Sequence, residues 1–114
     1  MQVEDDQEIK RWLADSWDAE LNWDEANLRK LTHSVTQDEV EEVFLNPFFV
    51  AGRIIPPVDS RWPPEKRFVI FGETNEGRVL TVVWTPRGQK IRPISMRSST
   101  DAQKRKYQDR RRNG

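Results

Sequence analysis

The hydrophobic pattern near the N-terminus predicts a short helix. Ile9, Trp12 and Leu13 fall at positions i, i+3 and i+4, which places them on one face of a helix over about residues 6–14. Three apolar side chains cannot stabilise so short a helix alone, so we expect it to dock on the rest of the chain. We treat residues 1–19 as an acidic N-terminal extension and residues 20–114 as the main domain.

A short strand and a second helix are predicted next. Leu21 and Trp23 alternate with polar neighbours, as in a strand with one buried face. Asp24 then suits the N-cap position of a helix that continues to about Leu31, because its carboxylate can accept a hydrogen bond from a free backbone N–H.

A third helix is marked by clear start and stop signals. Thr36 and Glu39 have the spacing of a capping box, in which each side chain accepts a hydrogen bond from the other residue's backbone N–H. Asn46 precedes Pro47, and a residue before proline avoids the helical region, so the helix ends there. Its apolar stripe consists of Val40, Val43 and Phe44.

The second half of the chain predicts an antiparallel meander. Residues 56–64 contain four prolines and indicate a loop. Three runs rich in Phe, Val and Ile follow at residues 66–72, 78–85 and 90–96, and short glycine-containing turns separate them. Pro93 lacks a backbone N–H, so its strand should lie at an edge of the sheet or carry a bulge.

The order of elements predicts the fold class. Ser99 or Thr100 could cap a last helix, which gives the order strand, helix, helix, three strands, helix. Helices followed by a run of strands indicate an α+β fold. We expect an antiparallel sheet of about four strands with two N-terminal helices and a C-terminal helix.

Composition excludes several kinds of site. The 114 residues suit one domain and contain no cysteine, which excludes disulfides, thiol catalysis and cysteine-bound metals. His33 is the single histidine, which argues against a histidine-based metal cluster. No apolar run approaches the roughly 20 residues of a membrane span, and the acidic N-terminus is unlike a signal peptide. We expect a cytoplasmic protein without membrane association.

The formal net charge of zero hides a strong asymmetry. Residues 1–50 hold 13 Asp/Glu and 4 Lys/Arg, whereas residues 51–114 hold 6 Asp/Glu and 15 Lys/Arg. Such a distribution indicates an acidic and a basic surface, and a basic surface attracts phosphate backbones. The alternative is that the two halves neutralise each other within the fold.

Segments between Leu21 and Tyr107 follow the order and spacing of one known family. They include Asn22-Trp23-Asp24-Glu25 with Asn27, then His33-Ser34-Val35, then the helix that ends at Asn46-Pro47. The remaining segments lie on the predicted strands, at residues 72–74, 77–85 and 91–97. In these segments the chain resembles the BrnT family of ribonuclease toxins.

The resemblance implies a fold, an activity and a partner. A BrnT-like protein would have a RelE-like fold and would be a ribonuclease that inhibits translation without a metal or other cofactor. Its partner would be a ribbon-helix-helix antitoxin of the BrnA type, which blocks the toxin and represses the shared operon. The chain departs from the family at Ser34, where glycine is usual, and by a missing residue between Leu31 and His33. The extension 1–19 and the proline-rich loop are further departures.

Five residues are candidates for catalysis. Metal-free RNA cleavage must neutralise a phosphate, and the guanidinium fork of arginine suits that task. Arg97 is the first candidate, because it ends the last strand beside the start of a helix; Arg92 and Arg67 also lie on the predicted strands and could share its face. Glu73 could be a general base, and His33 is a candidate because an unperturbed histidine suits acid–base work near neutral pH. The alternatives are surface ion pairs for the arginines, a salt bridge for Glu73 and local hydrogen bonding for His33.

The last predicted helix supplies candidates for RNA binding. Residues 104–112 hold six Lys/Arg and one Asp. Tyr107 could stack on a base, although a tyrosine at helical spacing also suits the core. The segment could equally bind an acidic partner or form a solvated tail. The RNA-binding candidates are Lys104, Lys106, Tyr107 and Arg111.

Two functions are therefore compatible with the sequence. The first is a metal-free endoribonuclease toxin whose partners are RNA and the antitoxin. The second is a non-catalytic module on the same fold that binds a partner protein or nucleic acid, which the near-neutral pI of about 6.6 favours. Homo-oligomerisation is compatible with either function.

Overall fold

A computed structural model describes residues 2–15, 19–31, 35–55 and 66–113. Within these residues, five strands form one antiparallel sheet in the order β1-β2-β3-β4-β5, accompanied by four helices. The predicted α+β class is confirmed. The predicted loop over residues 56–64 lies outside the described residues. The elements in chain order are β1 Gln2–Glu4, α1 Gln7–Asp15, α2 Glu25–Leu28, α3 Gln37–Leu45, β2 Phe48–Ile55, β3 Phe68–Glu73, β4 Val79–Arg87, β5 Lys90–Ser98 and α4 Asp101–Asn113.

The predicted helix caps form as expected. Glu39 N–H donates to Thr36 Oγ1 over 3.2 Å, and Thr36 N–H donates to Glu39 Oε1 over 3.0 Å. Asp24 caps α2 in the same reciprocal way with Asn27, although α2 ends at Leu28 and is shorter than predicted. Thr100 is the residue that caps α4, because its Oγ1 accepts from Gln103 N–H over 3.2 Å.

The predicted meander also forms. β3, β4 and β5 are consecutive antiparallel neighbours, and β5 is the last strand of the sheet. The register of the β4–β5 pair shifts between Val83 and Trp84, at the point where Trp84 pairs with Pro93. Pro93 therefore lies on an edge strand and beside a bulge, as its missing N–H requires.

The strand count and the helix arrangement differ from the prediction. The sheet has five strands rather than about four, because β1 and β2 were not expected. β2 carries half-buried side chains on both faces, so its sequence has no period-two alternation. The strand predicted at Leu21 and Trp23 is wrong: Leu21 alone makes a parallel bridge, to Ile91. Helix α1 corresponds to the helix predicted over about residues 6–14, so three helices rather than two precede the meander.

The sheet buries side chains on two faces. On the first, which we call the α3 face, residues of α1 and α3 pack on the central strands. On the second, the α4 face, Tyr107 packs on the sheet. None of the helices within the described residues is long and apolar enough to span a bilayer. The α3 face buries Ile9, Val40, Val43, Phe68, Ile70, Leu80, Val82, Trp84 and Met96, and the α4 face buries Ile54, Val69, Phe71, Val79 and Tyr107.

Candidate functional site

The α4 face carries the three arginines predicted from the sequence. Arg92 of β5 pairs with Thr85 of β4. Because Phe68 pairs with Trp84, Arg67 lies opposite Thr85 on the other side of β4. Arg97 pairs with Thr81. Thr81 and Thr85 are four residues apart on one strand, and paired side chains point the same way, so all three arginines lie on one face. We call Arg67, Arg92 and Arg97 the arginine row.

Arg97 is the exposed member of the arginine row. It lies one residue before the end of β5 and has no ion-pair partner among the described residues. Its backbone is fixed beside a buried polar cluster, in which the hydroxyl oxygens of Thr81 and Ser99 lie 2.7 Å apart. Thr81 Oγ1 also donates to Gln103 Oε1 of α4 over 3.1 Å. The hydrogen-bonded end of β5 thus presents a solvent-accessible guanidinium.

Arg92 is already paired within the fold. Its Nη1 donates to Oδ2 of Asp24, the N-cap residue of α2. The hydrogen bond from the Asn27 backbone N–H, followed by the one from Arg92, holds the pKa of Asp24 below its ordinary value. Arg92 therefore fixes α2 against the edge of β5, and a phosphate would have to share its guanidinium with Asp24.

Arg67 is half-buried and lies immediately before β3. Its carbonyl oxygen accepts a hydrogen bond from Ile54 N–H over 2.8 Å, which extends the β2–β3 ladder by one residue. The backbone of Arg67 is thus held by the sheet even though it precedes the strand. This position makes Arg67 a positioning or phosphate-binding candidate on the same face as Arg97.

A second group of predicted residues meets at the far end of β3. Glu73 Oε1 accepts from Arg111 Nη1 over 2.6 Å, which raises the pKa of Arg111. Tyr107 is buried, and its hydroxyl donates to the carbonyl oxygen of Pro47 over 3.3 Å. Burial, and after it the charge of Glu73, raises the pKa of Tyr107. These residues line a polar cleft of about 420 Å³, which we call the Glu73 cleft.

The remaining RNA-binding candidates lie on opposite flanks of α4. Lys106 and Arg110 are four residues apart and share one flank, whereas Lys104 and Arg111 share the flank that faces Glu73. Lys106 is exposed and Lys104 is half-buried. Tyr107 lies between the flanks and its ring belongs to the core, which leaves little of it for base stacking. His33 lies outside the described residues.

A cavity of about 920 Å³ on the α3 face has a different chemistry. It is lined mainly by apolar side chains, among them Leu13, Phe44 and Phe48. Its charged lining residues are Glu20 and Glu41, and no cation lines it among the described residues. This cavity is therefore unsuited to a phosphate, despite its size.

Comparison with models of known protein families assigns this chain to one of them. The family model for the ribonuclease toxin BrnT of type II toxin–antitoxin systems matches residues 17–103, well over half of the chain. The chain belongs to the BrnT family. It is therefore related to ribonuclease toxins, and the family implies an antitoxin partner. No curated protein and no solved structure matches the chain.

The match places the arginine row and Glu73 within the BrnT region. Arg111 and β1 and α1 fall outside the matched residues 17–103. In the Glu73 cleft, Glu73 therefore belongs to the region that the BrnT model matches, whereas Arg111, at the C-terminal end of α4, lies outside that region.

Sequence reasoning missed two residues that shape these sites. The sequence marks Asn46 only as a helix stop, yet its Nδ2 donates to the Glu73 carbonyl oxygen over 2.9 Å and to Asn75 Oδ1 over 3.0 Å. Arg110 lies over the ring of Phe49, 4.3 Å from the centroid. The run of aromatic and β-branched residues after Pro47 is a strand signal that would have placed Phe49 on the sheet.

Proposed function

We propose that this BrnT chain is a metal-free endoribonuclease that acts in the cytoplasm and inhibits translation, and that the α4 face binds its RNA. The observation that carries the proposal is the arginine row. Arg67, Arg92 and Arg97 lie on one sheet face, and Arg97 is exposed without an ion-pair partner among the described residues. A RelE-like fold is part of this proposal.

Phosphate neutralisation is the step that the described residues support best. Arginine offers a permanently charged, bidentate contact to phosphate oxygens, and electrostatic stabilisation is usually the largest catalytic contribution. Arg97 would contact the scissile phosphate, while Arg67 and Arg92 would bind neighbouring phosphates. Lys106 lies on the exposed surface of α4 and would extend this basic surface, with Lys104 and Arg111 on the other flank.

Proton transfer in this proposal falls to Glu73 and His33. The carboxylate of Glu73 is held by Arg111, and its side chain is 25% exposed, so it is accessible to a substrate hydroxyl. The partner in the proposal is a ribbon-helix-helix antitoxin of the BrnA type. A non-catalytic module that only binds RNA or protein is the competing function.

RNA cleavage by the purified full chain tests the proposal. Single-stranded RNA is incubated with the protein, with and without excess EDTA, and translation is measured in a cell-free extract. We expect cleavage that EDTA leaves unchanged and a matching loss of translation. RNA binding without cleavage would favour the non-catalytic module, and cleavage abolished by EDTA would show that a metal is needed.

A further inference from the structure

One edge of β2 pairs with β3, and half of the opposite, outer edge is open. β1 pairs with β2 only at Arg53, Ile54 and Ile55. In the described part of the chain, no strand pairs with the same edge at residues 48–51. In an antiparallel ladder, alternate residues direct their N–H and C=O groups away from the paired strand. The open edge therefore offers backbone donors and acceptors of the kind that an added strand would pair with.

Cations from two elements flank this open edge. A cleft of about 390 Å³ runs beside it, lined by residues 47–50 and by side chains of α1 and α4. Lys10 contributes from α1, and Arg110 and Arg111 contribute from α4. No carboxylate lines the cleft among the described residues. The electrostatic character of the open edge is therefore positive.

Arg110 is the cation best placed to bind a ligand at this edge. Its guanidinium lies 4.3 Å from the centroid of the Phe49 ring, which holds the charge over β2 by a cation–π contact. Arg110 has no ion-pair partner among the described residues. Lys10 already forms a salt bridge with Asp5, and Arg111 forms one with Glu73, each over 2.6 Å. A ligand carboxylate would have to share these two cations with the residues that they already contact.

We propose that the open edge of β2 binds an extended acidic segment of the antitoxin as an added strand. A peptide supplies the backbone N–H and C=O groups that pair with a strand edge, and its carboxylates match the cations on both sides. RNA could form ion pairs with the cations, but its backbone cannot form the hydrogen-bonded ladder of an added strand. The chemistry of the edge thus favours an acidic peptide over a nucleic acid.

The size of the open edge limits the added strand. Four residues of β2 are free, which corresponds to about 13 Å of extended chain. At the other end β1 blocks further pairing, and Glu4 approaches so closely that a Cβ on Gly52 would collide with the Glu4 carbonyl oxygen. The proposal rests on the antitoxin partner that the family implies, and it is independent of whether the chain cleaves RNA.

A labelled peptide tests the proposal directly. The probe is a fluorescein-labelled hexapeptide of alternating Glu and Val, titrated with the full chain and followed by fluorescence anisotropy. We expect binding that weakens as salt rises, and a loss of about tenfold or more in affinity for Arg110→Glu, because like charges at an interface are repelled. Arg112→Glu is the matched control, since it makes the same charge change on the same helix but does not line the cleft.

A second probe separates strand pairing from simple charge attraction. The same peptide with N-methyl groups on alternate backbone amides keeps its carboxylates but cannot complete a ladder. We expect this peptide to bind at least about tenfold more weakly than the unmodified one, because the ladder hydrogen bonds give strand addition its affinity. Equal binding of the two peptides, or equal losses for Arg110→Glu and Arg112→Glu, would overturn the proposal.

Two further outcomes would also overturn it. Tighter binding of a single-stranded RNA hexamer than of the Glu–Val peptide, with the same loss in Arg110→Glu, would assign the edge to nucleic acid. A dimer in sedimentation that Arg110→Glu dissociates would assign it to a second copy of the chain. The peptide assay contains no RNA substrate, so an inactive ribonuclease that still binds the peptide would refute only the proposed activity.

Discussion

The ring centroids of Trp12 and Trp84 lie 5.8 Å apart, which joins α1 to the centre of the sheet. Trp84 is fully buried on β4 and also contacts the rings of Phe44 and Phe68. Ile9, one turn before Trp12, is buried in the same cluster. The N-terminal segment therefore forms part of the core, although the match to the family begins at residue 17.

Trp12→Ala should destabilise the protein. Truncating a buried tryptophan costs about 3–5 kcal/mol, and Trp12 is half-buried, so we expect a loss of about 2 kcal/mol in the free energy of unfolding. Arg11→Ala is the control, since Arg11 is exposed on the same helix and should change stability by less than about 0.5 kcal/mol. Urea unfolding measures both. Equal stabilities would mean that α1 is not anchored through Trp12.

Arg97→Ala should abolish RNA cleavage without affecting the fold. Arg97 is exposed, so its truncation removes a phosphate contact rather than core packing. Loss of one preorganised electrostatic contact typically lowers the rate by about 10²-fold or more. The rate is measured on purified RNA, and circular dichroism checks the fold.

The control for Arg97→Ala is a second exposed arginine outside the arginine row. Among the described residues Arg29 forms an ion pair only with Glu25 of α2, and such exposed ion pairs contribute little to stability. Arg29→Ala should therefore keep nearly full activity. A folded Arg97→Ala protein with unchanged cleavage would remove Arg97 from the proposed mechanism.

Local signals in the sequence predicted the helix starts and the meander well. Capping depends on side chains three residues apart, so Thr36 and Glu39 are sufficient to define the start of α3. β2 could not be predicted, because its side chains are half-buried on both faces and its pairing with β1 and β3 is long-range. The hydrophobic pattern of this segment therefore has no simple period. Only Val3 of β1 is apolar, so its membership of the sheet also depends on the partner strand.

The candidate site could likewise be predicted from the sequence only in part. The arginines of the row could be proposed from residue type, and the shared face then follows from the register of β4. Pro93 allows a bulge in its strand, but the position of the bulge at Ile94 of β5, which shifts the β4–β5 register by one residue, could not be derived from the sequence. Tertiary contacts such as those of Glu73 with Arg111, and of Asn46 with the Glu73 carbonyl, join residues 27 or more positions apart and have no local signal.

Glu39→Gln should reduce stability at neutral pH but not in acid. Burial alone would raise the pKa of Glu39, but hydrogen bonds from the Thr36 backbone and from Arg78 outweigh it and hold the pKa below the ordinary 4.5. A lowered folded-state pKa gives stability that is present above pH 4.5 and is lost as the pH falls through the folded value. We expect the variant to be up to about 1 kcal/mol less stable at pH 7 and equal to wild type once the pH is well below the folded-state pKa of Glu39.

Urea unfolding at a series of pH values checks this dependence. Glu76→Gln is the control, because Glu76 is exposed in the β3–β4 turn and has no ion-pair partner among the described residues. Its stability difference from wild type should stay near zero at every pH. A Glu39→Gln deficit that persists in acid would show that the carboxylate charge is not its cause.

Gly72→Ala should destabilise the contact between α3 and β3. A Cβ at this position would lie 2.6 Å from Val43 Cγ1 and 3.2 Å from both Phe48 Cβ and the Val43 carbonyl oxygen. Overpacking of this kind typically costs about 1–3 kcal/mol. Because Val43 Cγ1 is the nearest obstacle, removing it should relieve part of the strain. The double variant Gly72→Ala/Val43→Ala should therefore lose about 1 kcal/mol less than the sum of its single variants.

Val40→Ala provides the matched comparison for this coupling. Val40 and Val43 are both fully buried on α3, so their truncations leave similar cavities, but Val40 is not among the atoms nearest to Gly72. Combined with Gly72→Ala, the Val40 truncation should be additive within about 0.5 kcal/mol, because the two sites share no close contact. The free energies of unfolding of all five variants are measured in urea. Equal coupling for both valines would mean that α3 shifts as a rigid body, whereas additivity for both would show that Val43 does not restrict position 72.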